Sequence, residues 1–156
     1  MKYIFTSLFI LSVLFKGYSA TFYVNDNSTA LDIYTTAVGN DLNTGLTPAD
    51  PFETLGAAIS ASSSGDIILV DAGNYADLNI TIPNTLNNLT ISGASISTTI
   101  FDPNGATGIY LFMTVQGHLT SISNMTIQNY ESAGAIDLIG SSAADSTTLT
   151  LSQCFF

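Results

Sequence analysis

The chain is 156 residues long, with 12 acidic and only 2 basic side chains and a formal net charge of −10. That balance excludes nucleic acid and anionic membrane as partners, because almost nothing in the chain can replace the counterions of a phosphate surface. Hydrophobic residues make up 46% and charged residues 9%, which excludes a disordered chain and supplies a core for one domain.

The first predicted element is an export signal. Lys2 is a short positive start, and Tyr3 to Phe15 is apolar except for Thr6, Ser7 and Ser12. Gly17, Ser19 and Ala20 then supply small residues for a signal peptidase, with cleavage after Ser19 or after Ala20. The apolar run is too short for the roughly 20 residues that cross a bilayer. No later stretch approaches that length, so no transmembrane segment is expected. Lys2 and Lys16 are the only basic residues, so removal of residues 1–20 leaves all 12 carboxylates and no Lys or Arg. The expected location is secreted or cell-surface. Cys154 is the single cysteine, so no disulfide framework exists in this chain.

After the signal, residues 21–65 read as a strand, a loop and a helix. Thr21–Asn25 alternates apolar and polar, as a half-buried strand does. Asp26–Asp50 is rich in Asn, Asp, Thr and Gly and reads as a long loop. A helix is predicted over Pro51–Ala61, with Asp50 as N-cap, Pro51 in the first position and Glu53 three residues after the cap. Phe52, Leu55 and Ile59 fall on one face of it.

Residues 66–156 read as short β-runs separated by turns. The runs are Asp66–Val70, Leu78–Ile82, Asn88–Ser92, Thr98–Phe101, Ile109–Val115, Leu119–Ile122, Asn124–Gln128, Ala135–Ile139 and Thr147–Ser152. Asp71–Asn74, Pro83-Asn84, Asp102–Gly105 and Gly140-Ser141 are the turn signals. Three runs share an apolar–Thr–apolar core: Leu89-Thr90-Ile91, Met125-Thr126-Ile127 and Leu149-Thr150-Leu151. Spacings in the low twenties, with short strands, point to a solenoid rather than a sandwich. The apolar members should face inward, and Thr90, Thr126 and Thr150 outward.

Several segments now line up with a known pattern. Gly39-Asn40-Asp41-Leu42-Asn43-Thr44-Gly45 precedes Pro51-Phe52-Glu53-Thr54-Leu55 and Ala58-Ile59. Gly65-Asp66-Ile67-Ile68-Leu69-Val70 and Gly73-Asn74-Tyr75 follow, and then Asn88–Gly93 and Ser97–Asp102. This order resembles the N-terminal entry of right-handed parallel β-helix proteins of the pectin-lyase-like superfamily, closely over Thr21–Asp102 and loosely beyond. The loop is similar to those of secreted surface proteins of Bacteroidetes. The resemblance implies an all-β, right-handed parallel β-helix with one short N-terminal capping helix. A solenoid needs a cap at each end. The chain stops just after a strand, so the expectation is a C-terminally truncated piece of a longer protein.

Candidate chemistry is sparse. Lyases of the resembled family use a Lys or Arg base, often with calcium, and residues 21–156 hold neither basic residue. Glycoside hydrolysis needs two carboxylates roughly 5–9.5 Å apart. Asp137 is the only carboxylate inside a late strand, and it reads as a solvated residue. His118 follows Gly117 at a turn without an adjacent partner. Asp41, Asn43 and Asp26 resemble half of a calcium loop, so Ca²⁺ is the one candidate cofactor. The Thr column raises binding to ice or another flat surface, against the ordinary use of Thr in strands. Asn27, Asn79, Asn88 and Asn124 each begin an N-x-S/T sequon. The expected function is that of a non-catalytic, adhesive or carbohydrate-contacting module, with polysaccharide or extracellular matrix as partner. The alternative is the N-terminal part of a polysaccharide lyase or glycoside hydrolase whose active site lies beyond residue 156.

Overall fold

The computed structural model describes residues 18–103, 105, 112–116, 120–130, 135–139 and 148–155. Most of the predicted export signal, together with His118, therefore lies outside the described residues. The described chain is largely β. It forms ten strands and one helix, and every strand pairing is parallel.

Strand β1 (Thr21–Val24) starts the fold, and no helix or strand follows until residue 55. Helix α1 spans Leu55–Ala61, shorter than the predicted Pro51–Ala61. The reason is competition for the backbone. Phe52 N donates to Tyr23 O, and Asn25 N donates to Phe52 O, so residues 51–53 run beside β1 as an extended segment. The helix can begin only after that pairing ends. Thr54, not Asp50, is its N-cap, and the Thr54 hydroxyl accepts from Ala57 N. Asp50 instead accepts from the backbone and hydroxyl of Thr44, which hold its pKa below the usual carboxylate value. Leu55, Ala58 and Ile59 are the buried helix residues. Phe52 is buried as well, from the extended segment, with its ring 6.1 Å from that of Phe22.

The strands then stack in parallel columns. Strands β2 (Ile67–Val70), β5 (Thr90–Gly93), β8 (Thr120–Ile127) and β10 (Leu149–Phe155) follow β1 in one column. Strand β6 (Thr99–Phe101) lies between β3 (Gly73–Tyr75) and the second half of β8. Strand β7 (Met113–Val115) lies between β4 (Ile80–Ile82) and β9 (Ile136–Leu138). The segment Asp71–Asn74, expected as a turn, thus contributes Gly73 and Asn74 to a strand. Leu119–Ile122 and Asn124–Gln128, expected as two runs, are joined in β8.

Asn124 explains the joining. Its φ of 59° is a left-handed conformation that Asn tolerates better than most residues. Ser121 to Ser123 pair with β5, whereas Thr126 and Ile127 pair with β6, so β8 turns from one neighbour to the next at Asn124. Gly93 lies beside this bend, where an added Cβ would stand 2.2 Å from the Asn124 carbonyl oxygen.

Apolar side chains from all the columns meet in one core. Val24, Ile68, Val70, Leu89, Ile91, Met113, Ile122 and Met125 have no exposed surface. A file of rings runs through it. Tyr75 stacks on Phe101 at 5.0 Å, Phe101 meets Phe112 at 4.8 Å, and Phe112 meets Tyr130 at 5.4 Å. Leu89, Ile91, Met125 and Ile127 are buried as expected. Thr126, expected to face outward, is buried, and its hydroxyl donates to Ile96 O at 2.6 Å. Leu151 is 41% exposed although it stands in register with buried Ile122. Cys154 is half-buried in register with Met125, and burial pushes its thiol pKa upward.

Candidate functional site

Two surfaces organise the polar chemistry. The first begins at the 26–50 loop, which is held by buried acceptors. Asp71 follows β2 and is fully buried. Its carboxylate accepts from the backbone N–H groups of Ile33, Tyr34, Thr35 and Ala72 and from the Thr35 hydroxyl, all within 2.9 Å. These donors are neutral, so main-chain dipoles and one hydroxyl replace the water this carboxylate has lost. The buried Asn25 amide donates to Ser28 O, Asp32 Oδ2 and Ala37 O, gathering the first half of the same loop around the end of β1. Asp32 Oδ1 is buried without a hydrogen-bond partner. Burial pushes the Asp32 pKa up against the opposing Asn25 bond, and the charges of Asp71 and Asp26 push the same way.

Beside this loop lies an open groove of about 280 Å³, bordered by Asp26, Asn27, Glu53, Thr54 and Asn74–Asp77. Asp77 is its most perturbed acid. Burial raises its pKa to about 6, the Gly56 N–H donates to it in opposition, and the Asp41 charge raises it further. The Tyr130 hydroxyl donates to the Asp77 carbonyl at 2.8 Å, and the Tyr75 hydroxyl to the Asp71 carbonyl at 3.0 Å. Burial raises both phenols far above their ordinary range. The groove offers carboxylate and amide groups to a polyol, and one acid that exchanges its proton near pH 6. Nothing in the sequence around Asp77 singled it out, because its shift comes from packing against α1.

The three predicted calcium ligands have separate structural duties. Asp41 accepts from Glu53 N, Thr54 N and the Thr54 hydroxyl, each at 2.9 Å, and so supports the start of α1. Asn43 donates its amide to Pro51 O at 2.8 Å. Asp26 accepts from Ser28 N and Asn74 N, which joins the loop to β3. Among the described residues no group of three or more His, Cys, Asp or Glu side chains is placed to hold a metal ion. Asp137 is exposed, in register with Thr114.

The second surface is the outer face of the β1–β2–β5–β8–β10 column. The predicted Thr90–Thr126–Thr150 column does not form, because Thr126 belongs to the half of β8 that pairs with β6. The register instead stacks Thr90 on Ser121 and Ser121 on Thr150. Two residues along, Ser92 stacks on Ser123 and Ser123 on Ser152. Ile67 and Leu69 continue the two rows on β2. Neither row contains a charge. Parallel strands put such hydroxyls about 4.8 Å apart across the sheet and roughly 6.6 Å apart along it. The Ser123 hydroxyl lies 3.3 Å from that of Ser92. The signal that could have found this face is the spacing of two between hydroxyls, at 90 and 92, 121 and 123, and 150 and 152.

Compared with protein-family models, with curated proteins and with solved structures, the chain matches none. Among the described residues no helix is long and apolar enough to cross a membrane.

Proposed function

We propose that this chain is the entry region of an exported right-handed parallel β-helix of the pectin-lyase-like kind, serving as a non-catalytic surface module that lies along extended, uncharged polysaccharide or matrix chains. The fold part of the reading is supported by the register. Partners recur along the chain as Ile67, Thr90, Ser121 and Thr150, as Asn74, Ile100 and Thr126, and as Thr81, Thr114 and Asp137. Three columns visited in turn, always in parallel, are what a coil of short strands produces, and parallel crossovers are right-handed in nearly all sheets.

The contact function rests on one observation. An acidic chain with no Lys or Arg after position 16 carries an uncharged array of hydroxyls on its longest stack of strands. Uncharged polymers approach such a face without the repulsion that uronates or phosphates would meet. Hydroxyl rows at strand spacing can bond to a repeating polyol at many points, each weak and together sufficient. The test is co-sedimentation of the full chain with insoluble neutral polysaccharides, alongside a glycan array. Binding that is lost in Ser121→Glu and kept in Asp77→Asn is the expected outcome. Equal binding by Ser121→Glu would remove the hydroxyl face from the reading, and no binding to any neutral glycan would remove the function.

A further inference from the structure

The start of β1 carries a feature that concerns how the mature chain is made. Tyr18 is 90% exposed, and the Ser19 hydroxyl donates to Gly65 O at 2.6 Å from an exposed position. Ala20 differs from both. It packs against the core, its N–H donates to Asp66 Oδ1 at 2.7 Å, and its carbonyl accepts from Ile67 N at 2.9 Å. Asp66 is only 4% exposed, and its other oxygen accepts from Ser63 N at 2.7 Å. A nearly buried carboxylate is thus held by two neutral N–H groups. No Lys or Arg anywhere in residues 20–156 could neutralise it.

The small residues at 17, 19 and 20 allow cleavage on either side of Ala20, and the two products differ. Hydrolysis after Ala20 removes the donor to Asp66 and the acceptor of the Ile67 N–H together. Buried groups stripped of their partners are costly. Hydrolysis after Ser19 keeps both bonds. Water adds across the Ser19–Ala20 amide, leaving a carboxylate on Ser19 and an ammonium on Ala20. In the folded product that ammonium takes the place of the Ala20 N–H on Asp66, where a charge-assisted bond replaces a neutral one.

We infer that a signal peptidase cuts between Ser19 and Ala20, and that the new α-ammonium remains on Asp66 as the ion pair that closes the first strand. The inference rests on the export reading above. The pair supplies residues 20–156 with a cation at neutral pH in a stretch that has no Lys or Arg. It also couples processing to folding, because removal of the leader completes the electrostatics at the edge of the sheet.

The mature chain offers an unusually clean test. Residues 20–156 hold no lysine, so within them the α-amine of Ala20 is the one primary amine for an N-hydroxysuccinimide ester to acylate. The full-length chain is expressed in an exporting host, and the released protein is analysed by intact mass and N-terminal sequencing. A product beginning at Ala20 is expected. A product beginning at Thr21 would overturn the inference and leave export standing, whereas a chain retained inside the cell and still beginning at Met1 would overturn the export reading itself. Acylation at neutral pH is then followed for native and urea-unfolded protein. The native amine should react roughly tenfold or more slowly, the scale of a charge-assisted contact, and Asp66→Asn should restore most of the rate. Native labelling as fast as unfolded labelling would overturn the ion pair. That comparison needs only the wild-type protein, so it decides the matter even if Asp66→Asn does not fold.

Discussion

At the scale of single residues, the acidic side chains between residues 26 and 77 are structural acceptors. Asp71, Asp41 and Asp26 each bind backbone N–H groups that no strand or helix would otherwise satisfy. Asp77 does so at a cost that depends on pH. Its folded pKa, about 6, lies above the ordinary 3.8, so the folded chain holds this proton more tightly than the unfolded chain. The ionised form therefore costs stability above pH 6, and the cost disappears as pH falls from about 6 toward 3.8. Asp77→Asn keeps an oxygen for the Gly56 N–H and removes the charge. It should raise stability at pH 7 by about 1–2 kcal/mol, a figure reduced for partial solvent screening, and give no gain near pH 3.8. Urea unfolding at the two pH values checks this, and a loss of stability at pH 7 would show that the charge is needed. The asparagines have a similarly local logic. Asn79, Asn88 and Asn124 begin three of the four sequons, and all three have positive φ, a conformation that accounts for asparagine without a glycan.

At the scale of elements, boundaries moved wherever a distant segment claimed the backbone. The capping chemistry in Asp50-Pro51-x-Glu53 was legible, yet α1 starts at Leu55 because β1 binds both backbone groups of Phe52. The helix itself was legible from Leu55 and Ile59 at helical spacing, whereas Phe52, read onto the same face, lies in the extended segment before it. Strand β3 was hidden because Gly73 and Asn74 are turn-forming residues, and only pairing with Thr99 and Ile100 makes them extended. The bend in β8 was hidden for the same kind of reason, since Gly93 matters only once Asn124 lies against it. Gly93→Ala should cost about 2–3 kcal/mol, because the new methyl overlaps the Asn124 carbonyl and touches the Thr99 Cβ, 3.0 Å away. Thermal unfolding measures this, and a change within about 0.5 kcal/mol, as at an ordinary surface site, would mean that the bend is not held closely.

At the scale of the whole molecule, charge and stacking act together. All 12 carboxylates lie after residue 20, so residues 21–156 carry strong self-repulsion. Raising the salt concentration from roughly 10 mM to roughly 0.15 M should raise its melting temperature through screening. Calcium at equal ionic strength should add nothing further, because Asp41, Asn43 and Asp26 serve three different sets of partners. A melting temperature that rises with micromolar calcium would restore the loop as a metal site. The sequence by itself determined the export signal as an expectation, the missing bases, the short strands and the inward apolar residues. These follow from composition and local alternation, which need no partner. Only the tertiary structure decided which hydroxyl stacks on which, why Thr126 is buried, and what Ala20 touches. Parallel pairing joins residues more than twenty positions apart across connections of unequal length, and no local pattern records that register.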